Sequence, residues 1–454
     1  MISKRSICAG IISLAIAFSG CASDKDKKST KTAADAQNAS SESSASSSTS
    51  TKNYTIDENM PKTKAVRTVY NLEAIDAGAP QIESALKSAN DGNTSSAIST
   101  LQSVTSSNSK AFLGHYDLGV LYERQENYTS ARKAYEDALR AEPKFTPALL
   151  QIVRMDIRNG NINSAINISN QYISSHPDVF SHNYARIEVM IANKQYDETI
   201  ALINALLKRD EANPKLRYYL AQIEFERKRY RLAEFIVGES LEIDPDDYEA
   251  LFLRARIHDA LSEEDVSLIP GIASTLDRVL ELNPDHLEAL WMRGVIYYEA
   301  SNYDKAEQFF RHIIELNPST VGAYINLANT LKTLDKGPEA LKLLNKAKEL
   351  APNDGLVDFA LGTLYLNIEL IHLPDIKDMD RLKLARTMFE NAQSHWTDKD
   401  DIKLAKGYIR TTDDAIETLQ AMLDAEALFG PSKDSDSGDS SQQDNKSNDS
   451  FTVD

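Results

Sequence analysis

The fold is decided by residues 118–143, which read LGVLYERQENYTSARKAYEDALRAEP. Residues 293–318 read RGVIYYEASNYDKAEQFFRHIIELNP, and residues 327–352 read LANTLKTLDKGPEALKLLNKAKELAP. When the three stretches are aligned, small and apolar residues recur at the same offsets, and each stretch closes on a proline. The second and third begin 34 residues apart. A fixed period of this length predicts a solenoid of stacked helix–turn–helix units.

Small residues occupy the positions at which the two helices of a unit cross. On first helices they are Gly119, Gly294, Ala328 and Gly362, and on second helices they are Ala131, Ala165, Ala233, Ala306, Ala340 and Ala385. A larger side chain there would push the helix axes apart, and overpacking typically costs ~1–3 kcal/mol. The closing prolines end each second helix, because proline cannot continue the helix in front of it.

This pattern resembles the tetratricopeptide repeat family. Clear repeats fall at 112–145, 146–179, 214–247, 287–320 and 321–354, repeats with insertions at 248–286 and 355–399, and divergent repeats at 78–111 and 180–213. The resemblance implies an all-α fold: a right-handed superhelical solenoid of about 8–9 helix–turn–helix repeats. We expect the solenoid to span 75–399 and to end in capping helices at 400–430, since a solenoid needs a polar outer face on its last unit.

The N-terminus has the pattern of a secretory signal. Lys4 and Arg5 precede an apolar run at 7–18, which is followed by Ser19-Gly20-Cys21. This resembles a bacterial lipoprotein signal, which implies removal of residues 1–20 and a covalent lipid, such as palmitate, on Cys21. Ala22 then favours the outer membrane over the inner one. A plain cleaved signal with an incidental cysteine and an uncleaved anchor are the alternatives.

Two segments have the composition of disordered chain. Residues 21–74 form a Ser-rich linker and residues 431–454 an acidic tail. Neither can bury enough apolar surface to offset the entropy of ordering. We expect the linker to act as a tether between membrane and solenoid. The tail is expected to be a solvated end, with a binding tail as the alternative.

Charge and cysteine content exclude several classes of function. The formal net charge is −18, from 50 basic and 68 acidic residues. This argues against nucleic-acid binding and against electrostatic docking on anionic lipid. Cys8 and Cys21 are the two cysteines. If the signal is cleaved as expected, Cys8 is removed with it and the thiol of Cys21 carries the lipid. No disulfide is therefore expected in the mature chain.

Sequence motifs for catalysis are missing. None of the eight histidines stands in a His-Glu-x-x-His motif, and neither a glycine-rich phosphate loop nor a Gly-x-Ser-x-Gly elbow occurs. We therefore predict no catalytic residue, no metal site, no cofactor apart from the lipid, and no small-molecule substrate.

A partner-binding groove is predicted on the first helices, which line the concave face in the family that the chain resembles. The fifth positions of the repeats are Tyr116, Leu150, Tyr184, Tyr218, Phe252, Trp291, Ile325 and Phe359. Arg154, Arg158 and Arg256 are expected on the same face. Aromatic side chains provide large contact area at low entropy cost. The alternative is that these residues only pack against the neighbouring repeat.

Two insertions, 262–271 and 367–380, interrupt the period between paired helices. Long loops on a rigid scaffold often carry function. Equally, each insertion could pack onto its own repeat.

These features together predict a lipid-anchored periplasmic scaffold that binds other envelope proteins or peptides in its concave groove. The plan resembles lipoproteins of gliding-motility machinery, pilotin-type lipoproteins of type IV pili and the repeat subunit of the outer-membrane barrel-insertion complex. The alternative is a promiscuous periplasmic chaperone or adaptor for unfolded peptides. An enzyme is a third class, which would need a polar pocket with a catalytic constellation.

Overall fold

The computed structural model describes residues 79–90, 92–262, 264–367 and 376–429. The predicted signal at 1–20, Cys21, the linker at 21–74 and the tail at 431–454 lie outside these residues. The described chain is helical, with no strand. It divides into two compact units, which meet in sequence between Thr320 and Val321. The predicted all-α repeat fold is confirmed.

Unit 1 is built from successive helix pairs. They are α1 (Ala79–Asn90) and α2 (Thr94–Ser107), α3 (Phe112–Arg124) and α4 (Tyr128–Ala141), α5 (Thr146–Arg158) and α6 (Ile162–Ser175), α7 (His182–Ala192) and α8 (Tyr196–Leu207), α9 (Pro214–Glu226) and α10 (Tyr230–Ile243), α11 (Tyr248–Leu261) and α12 (Ile269–Leu282), and α13 (Leu287–Glu299) and α14 (Tyr303–Leu316).

The two helices of a pair approach closely where the sequence places small residues. Ala131, Ala165, Ala233 and Ala306 are fully buried on the second helices. A Cβ atom at Gly294 would lie 2.8 Å from the ring of Phe310, inside van der Waals contact. Only glycine therefore fits at this crossing without displacing the ring.

The turn within each regular pair contains a residue in the left-handed region. In the described chain these residues are Gly92, Glu126, Gly160, Lys194 and Lys228, each 34 residues after the last, and then Ser301 and Asp335. At Lys194 (φ 57°), the following amide of Gln195 donates to the carbonyl of Met190 at 2.9 Å. This bond, from the third residue beyond α7 back into its last turn, is the Schellman motif, which ends the first helix.

The first insertion replaces this turn. After α11, Ser262 keeps a helical φ of −63°, and a 3₁₀ turn at Val266–Leu268 leads directly into α12. Leu268 packs against the core of its own repeats. The last residues of the predicted insertion at 262–271 are thus the first turn of α12. Most of the second insertion, 368–375, lies outside the described residues.

Unit 2 contains α15 (Val321–Thr333), α16 (Gly337–Leu350), α17 (Gly355–Leu366), α18 (Asp378–His395) and α19 (Lys399–Phe429). Its aromatic core joins Phe359 on α17, Phe389 on α18 and Tyr408 on α19. The segment 400–430, where a cap was expected, forms one continuous helix, α19, of 31 residues. Among the helices described in both units, none has the length and apolarity needed to cross a membrane.

Candidate binding cavity

The predicted groove positions lie one on each first helix from α3 to α17, but they differ in exposure. Tyr116, Leu150, Tyr184, Tyr218 and Phe252 are half-buried, whereas Trp291, Ile325 and Phe359 are only 2%, 2% and 7% exposed. The prediction of one continuous stripe open to a partner is therefore wrong at its C-terminal end. There the three side chains belong to the core.

Packing between neighbouring elements explains why Tyr116 and Phe252 are half-buried. The ring of Tyr116 lies 5.5 Å from that of Tyr135 and 5.3 Å from that of Phe145. The Phe252 ring lies 4.5 Å from His286, at the start of the next repeat. Rings at these separations make favourable edge and offset contacts. Packing, the alternative that the sequence left open, thus accounts for most of the aromatic positions.

An ion-pair network instead joins several first helices of unit 1. Arg154 on α5 binds both carboxylate oxygens of Glu188 on α7, with N–O distances of 2.9 and 2.7 Å. It also binds Glu249 on α11 at 3.0 Å, across 95 residues of sequence. Glu188 accepts a further bond of 2.8 Å from the hydroxyl of Tyr219. A two-pronged arginine–carboxylate pair of this kind fixes orientation as well as charge.

Lys215 on α9 completes the network from the other side of Glu249. Its ammonium group pairs with Glu249 and lies 4.1 Å from the centre of the Tyr218 ring. Both contacts stabilise the cation. The network therefore joins four first helices, α5, α7, α9 and α11, through charged side chains that are 11% to 32% exposed.

The pKa values of Glu249, Arg154 and Lys215 are each shifted in the direction that keeps the group charged. Burial alone would raise the pKa of Glu249, but Lys215 and Arg154 outweigh it and lower that pKa to about 2. Burial likewise opposes the charge on Arg154, yet Glu188 and Glu249 raise its pKa well above the ordinary value. For Lys215, burial is again outweighed by Glu249, and the pKa is raised. These groups therefore do not titrate near neutral pH.

A cavity of about 480 Å³ opens above the network. It is lined by Glu123, Gln151, Arg154, Ile157, Arg158, Glu188, Ile191, Ala192, Tyr218, Gln222 and Glu249. Three predicted groove residues, Arg154, Arg158 and Tyr218, are brought together here. The lining mixes paired charges, two amide side chains and two isoleucines, which suits a peptide segment better than a purely apolar ligand.

Two of the predicted arginines have different surroundings. Arg158 pairs with Glu123, whose other oxygen accepts a 2.9 Å bond from the hydroxyl of Tyr135. Its side chain is 54% exposed, so it lies at the edge of the cavity. Arg256 does not line the cavity. Its guanidinium lies 4.5 Å from the centre of the Phe225 ring.

Lys215, Tyr219 and Glu249 are central to the site, but sequence reasoning missed them. A signal was present, because Arg154 and Glu188 are 34 residues apart, as are Lys215 and Glu249. Opposite charges one period apart occupy equivalent positions on neighbouring repeats. A scan for such pairs would have found this network.

No group of three or more His, Cys, Asp or Glu side chains in the described part of the chain could hold a metal ion. His176 and His182 do stand together, with ring centres 5.8 Å apart, and they pack around Tyr172. They lie at the junction of two repeats, where they contribute to packing.

Comparison with known families agrees with the geometry. Models of the tetratricopeptide repeat match residues 112–145, 190–258 and 273–321. The chain carries tetratricopeptide repeats. Such repeats typically form non-enzymatic surfaces that bind protein partners. No curated protein matches the sequence.

Several solved structures are similar to this chain. The TPR domain of P58(IPK) is 15% identical, with 76% of this chain and 99% of that one covered and a TM-score of 0.25. The APC/C hetero-tetramer Cut9-Hcn1 is 15% identical, with 75% and 64% covered and a TM-score of 0.49. A tetratricopeptide repeat protein from Parabacteroides merdae is 16% identical, with 66% and 98% covered and a TM-score of 0.32. The fold assignment rests on the helix pairs and the repeat models.

Proposed function

We propose that the chain is a lipid-anchored periplasmic scaffold that holds a segment of a protein partner in the cavity of unit 1. The observation that carries the binding half is the cavity itself. Its floor is an ion-pair network that joins α5 to α11, and Gln151, Gln222 and Ile191 line the cavity beside these charged groups. A floor held by paired charges is preorganised, and preorganisation lowers the cost of binding.

The choice between a scaffold and a promiscuous chaperone follows from the same surface. A chaperone for unfolded chains needs a broad apolar surface that can repack around many sequences. The aromatic positions that could have formed such a surface pack within the fold, and Trp291 is buried. A polar, rigid cavity favours one or two defined partners.

The anchoring half rests on the sequence alone. Lys4 and Arg5, the apolar run and Ser19-Gly20-Cys21 match a lipoprotein signal, and Ala22 favours the outer membrane. In this proposal the partners are components of an envelope machine for motility, pilus assembly or outer-membrane assembly. The anchor would bring the solenoid to that machine.

A photo-crosslinking residue in place of Gln222, on the cavity wall, tests the binding half in native membranes. The same residue in place of Lys133, an exposed position on α4, reports background contacts. We expect one or two proteins to crosslink at position 222 and not at 133. Many crosslinked proteins at position 222 would favour the chaperone. The absence of any crosslinked protein at position 222 would overturn the proposal.

A matched pair of substitutions links the crosslink to the cavity. Ala192→Trp fills the cavity from the end of α7, whereas Ala300→Trp makes the same change in the residue that follows α13, also exposed, outside the cavity lining. Ala192→Trp should reduce capture at least tenfold, and Ala300→Trp should leave it unchanged. Equal effects of the two changes would show that the cavity does not hold the partner.

The anchor has its own test. Mass spectrometry of the N-terminal peptide should find a chain that begins at an acylated Cys21, and Cys21→Ser should release the protein from the membrane fraction. An unacylated N-terminus on a membrane-free protein would reject the anchor and leave the cavity proposal standing.

A further inference from the structure

The last helix of unit 2 is longer than the surface on which it packs. α19 has 31 residues and α18, against which it folds back, has 18. The difference of 13 residues is about 20 Å of helix at 1.5 Å per residue. Every residue from Gln420 to Leu428 is exposed. The final turns of α19 therefore project beyond the core instead of capping it.

This projecting segment carries an apolar stripe. Thr412 is fully buried against the core, and Ile416, Leu419 and Leu423 continue its face at spacings of three and four residues. Leu423 is 45% exposed and the flanking Met422 63%. The stripe that packs unit 2 thus runs on into solvent, where nothing in the described structure covers it.

The charge around the stripe has a single sign. Residues 411–429 contain no lysine or arginine. Asp413 pairs with Arg386, but Asp414, Glu417, Asp424 and Glu426 form no ion pair within the described residues. Asp424 and Glu426 also stand near the helix C-terminus, where the negative end of the helix dipole disfavours acidic groups. A short helical extension with such charges is marginal on its own.

We propose that residues 416–429 of α19 dock an amphipathic helix of a protein partner that is basic on its polar face. Apolar side chains of such a helix would cover Ile416, Leu419 and Leu423, and its lysines or arginines would supply the missing counter-charges. A second copy of this chain fits less well, because it would set two acidic segments side by side. The surface is separate from the cavity of unit 1.

The probe is an 18-residue peptide of leucine and lysine with leucines at helical three- and four-residue spacing. A peptide with glutamate in place of every lysine is its control. Binding to the full chain is measured by isothermal titration calorimetry at two salt concentrations. We expect the basic peptide to bind, less tightly at the higher salt, and the acidic peptide not to bind.

Three variants assign the binding to α19, because a chain of net charge −18 could attract a basic peptide anywhere. Leu419→Ser with Leu423→Ser removes the stripe, and Glu417→Lys with Asp424→Lys and Glu426→Lys reverses the charge. Glu198→Lys with Glu211→Lys and Glu242→Lys makes the same charge change at exposed positions of unit 1. Each α19 variant should lose affinity roughly tenfold or more relative to the unit 1 variant.

Two outcomes would overturn the proposal. One is equal affinity in all three variants, which would mean diffuse attraction. The other is a concentration-dependent dimer in analytical ultracentrifugation that disappears in the Leu419→Ser, Leu423→Ser variant, which would make a second copy the occupant. Far-UV circular dichroism on each variant checks that the helical fold is retained.

Discussion

At the scale of single residues, the closest approach of paired helices depends on glycines that face aromatic rings. Gly119 faces Tyr135, Gly294 faces Phe310 and Gly362 faces Phe389. All three rings are fully buried or nearly so, and they cannot move without disturbing the next layer of the core. The same close contact between a glycine and a ring in three helix pairs explains why the sequence keeps a small residue where the two helices cross.

Gly119→Ala should destabilise unit 1, because the added methyl group would overlap the Tyr135 ring. We expect the free energy of unfolding to fall by about 1–3 kcal/mol, as for other overpacked cores. Urea unfolding followed by circular dichroism measures the change. Gly238→Ala on α10 is the control, since nothing lies within 4 Å of its added Cβ. Gly238→Ala should raise the free energy of unfolding by ~0.5–1 kcal/mol. If both variants lost stability, the loss in Gly119→Ala could not be assigned to contact with the Tyr135 ring.

Glu249 is the residue on which the cavity floor depends. Glu249→Gln would leave the partly buried Lys215 ammonium without its carboxylate and take one of two carboxylates from Arg154. Breaking a buried pair from one side typically costs about 3–5 kcal/mol. Because the Lys215 and Glu249 side chains are 19% and 22% exposed, we expect a smaller loss, of about 1–3 kcal/mol, in urea unfolding at pH 7. The double variant Lys215→Met, Glu249→Leu should recover most of it, because the unpaired charge is then gone.

The same substitution has a defined pH dependence. The pKa of Glu249 is lowered to about 2 from an ordinary value of 4.5, so the unfolded chain binds the proton more readily. Its contribution to stability is present above pH 4.5 and is lost as the pH falls toward 2. The gap in stability between the natural chain and Glu249→Gln should therefore narrow across this range. A gap that stays constant would mean that Glu249 does not stabilise the fold through its charge.

At the scale of elements, the repeated left-handed turn is what makes each unit a hairpin. Five of the positions with positive φ in the described chain carry a residue other than glycine. Such residues cost energy in the left-handed region because Cβ approaches the carbonyl oxygen that follows it. The turn is thus kept in spite of its local cost, since the Schellman bonds and the packing of both helices require it.

Lys194→Gly should relieve that cost at an exposed turn. The left-handed penalty of roughly 1–2 kcal/mol is partly offset by the greater entropy of glycine in the unfolded chain, which leaves a net gain of about 0.5–1 kcal/mol. Gly160 occupies the equivalent turn one repeat earlier, with φ 71°. Gly160→Ala should lower the free energy of unfolding by about as much as Lys194→Gly raises it. Thermal unfolding of both variants measures the two shifts, and shifts of the same sign would be inconsistent with this account.

The elements were predictable because their signals are local. The helix pairs follow from apolar spacing, small residues and prolines, which act within one repeat. The point at which α19 extends beyond α18 was not predictable. The composition of 400–430 indicates a helix but does not show where the helix that packs against it ends. The burial of Ile325 and Phe359 was also beyond the sequence, since exposure depends on elements far along the chain.

At the scale of the whole molecule, unit 1 curves until distant repeats touch. Arg124, at the end of α3, binds Asp285 in the turn before α13 at 2.7 Å, across 161 residues. Asp285 also meets His312 on α14 at 3.4 Å, and Glu126 bonds Ser319. No local pattern could have predicted these contacts, because they follow from the accumulated rotation of several repeats. They tie the end of α3 to the segments on either side of α13 and α14.

These closing contacts should depend on pH. A hydrogen bond from His312 lowers the pKa of Asp285, and the same bond raises the pKa of His312. The contribution of Asp285 is present above pH 3.8 and is lost as the pH falls below that value. The contribution of His312 is present below pH 6.5 and is lost as the pH rises through its raised pKa. Closure should therefore be strongest between these limits, and only Arg124 should hold Asp285 at alkaline pH.

Asp285→Asn should open unit 1, because it removes the carboxylate shared by Arg124 and His312. Both pairs are partly exposed, so each contributes up to about 1 kcal/mol, enough to change the ratio of open to closed forms roughly fivefold. Spin labels on encoded non-cysteine residues at Lys133 and Lys305 would report a longer, broader distance distribution. Asp246→Asn is the control, because it breaks an ion pair of 2.7 Å with Arg278 that joins adjacent repeats. It should leave the distance distribution between the two labels unchanged. Unchanged distances in Asp285→Asn would mean that helix packing alone sets the curvature.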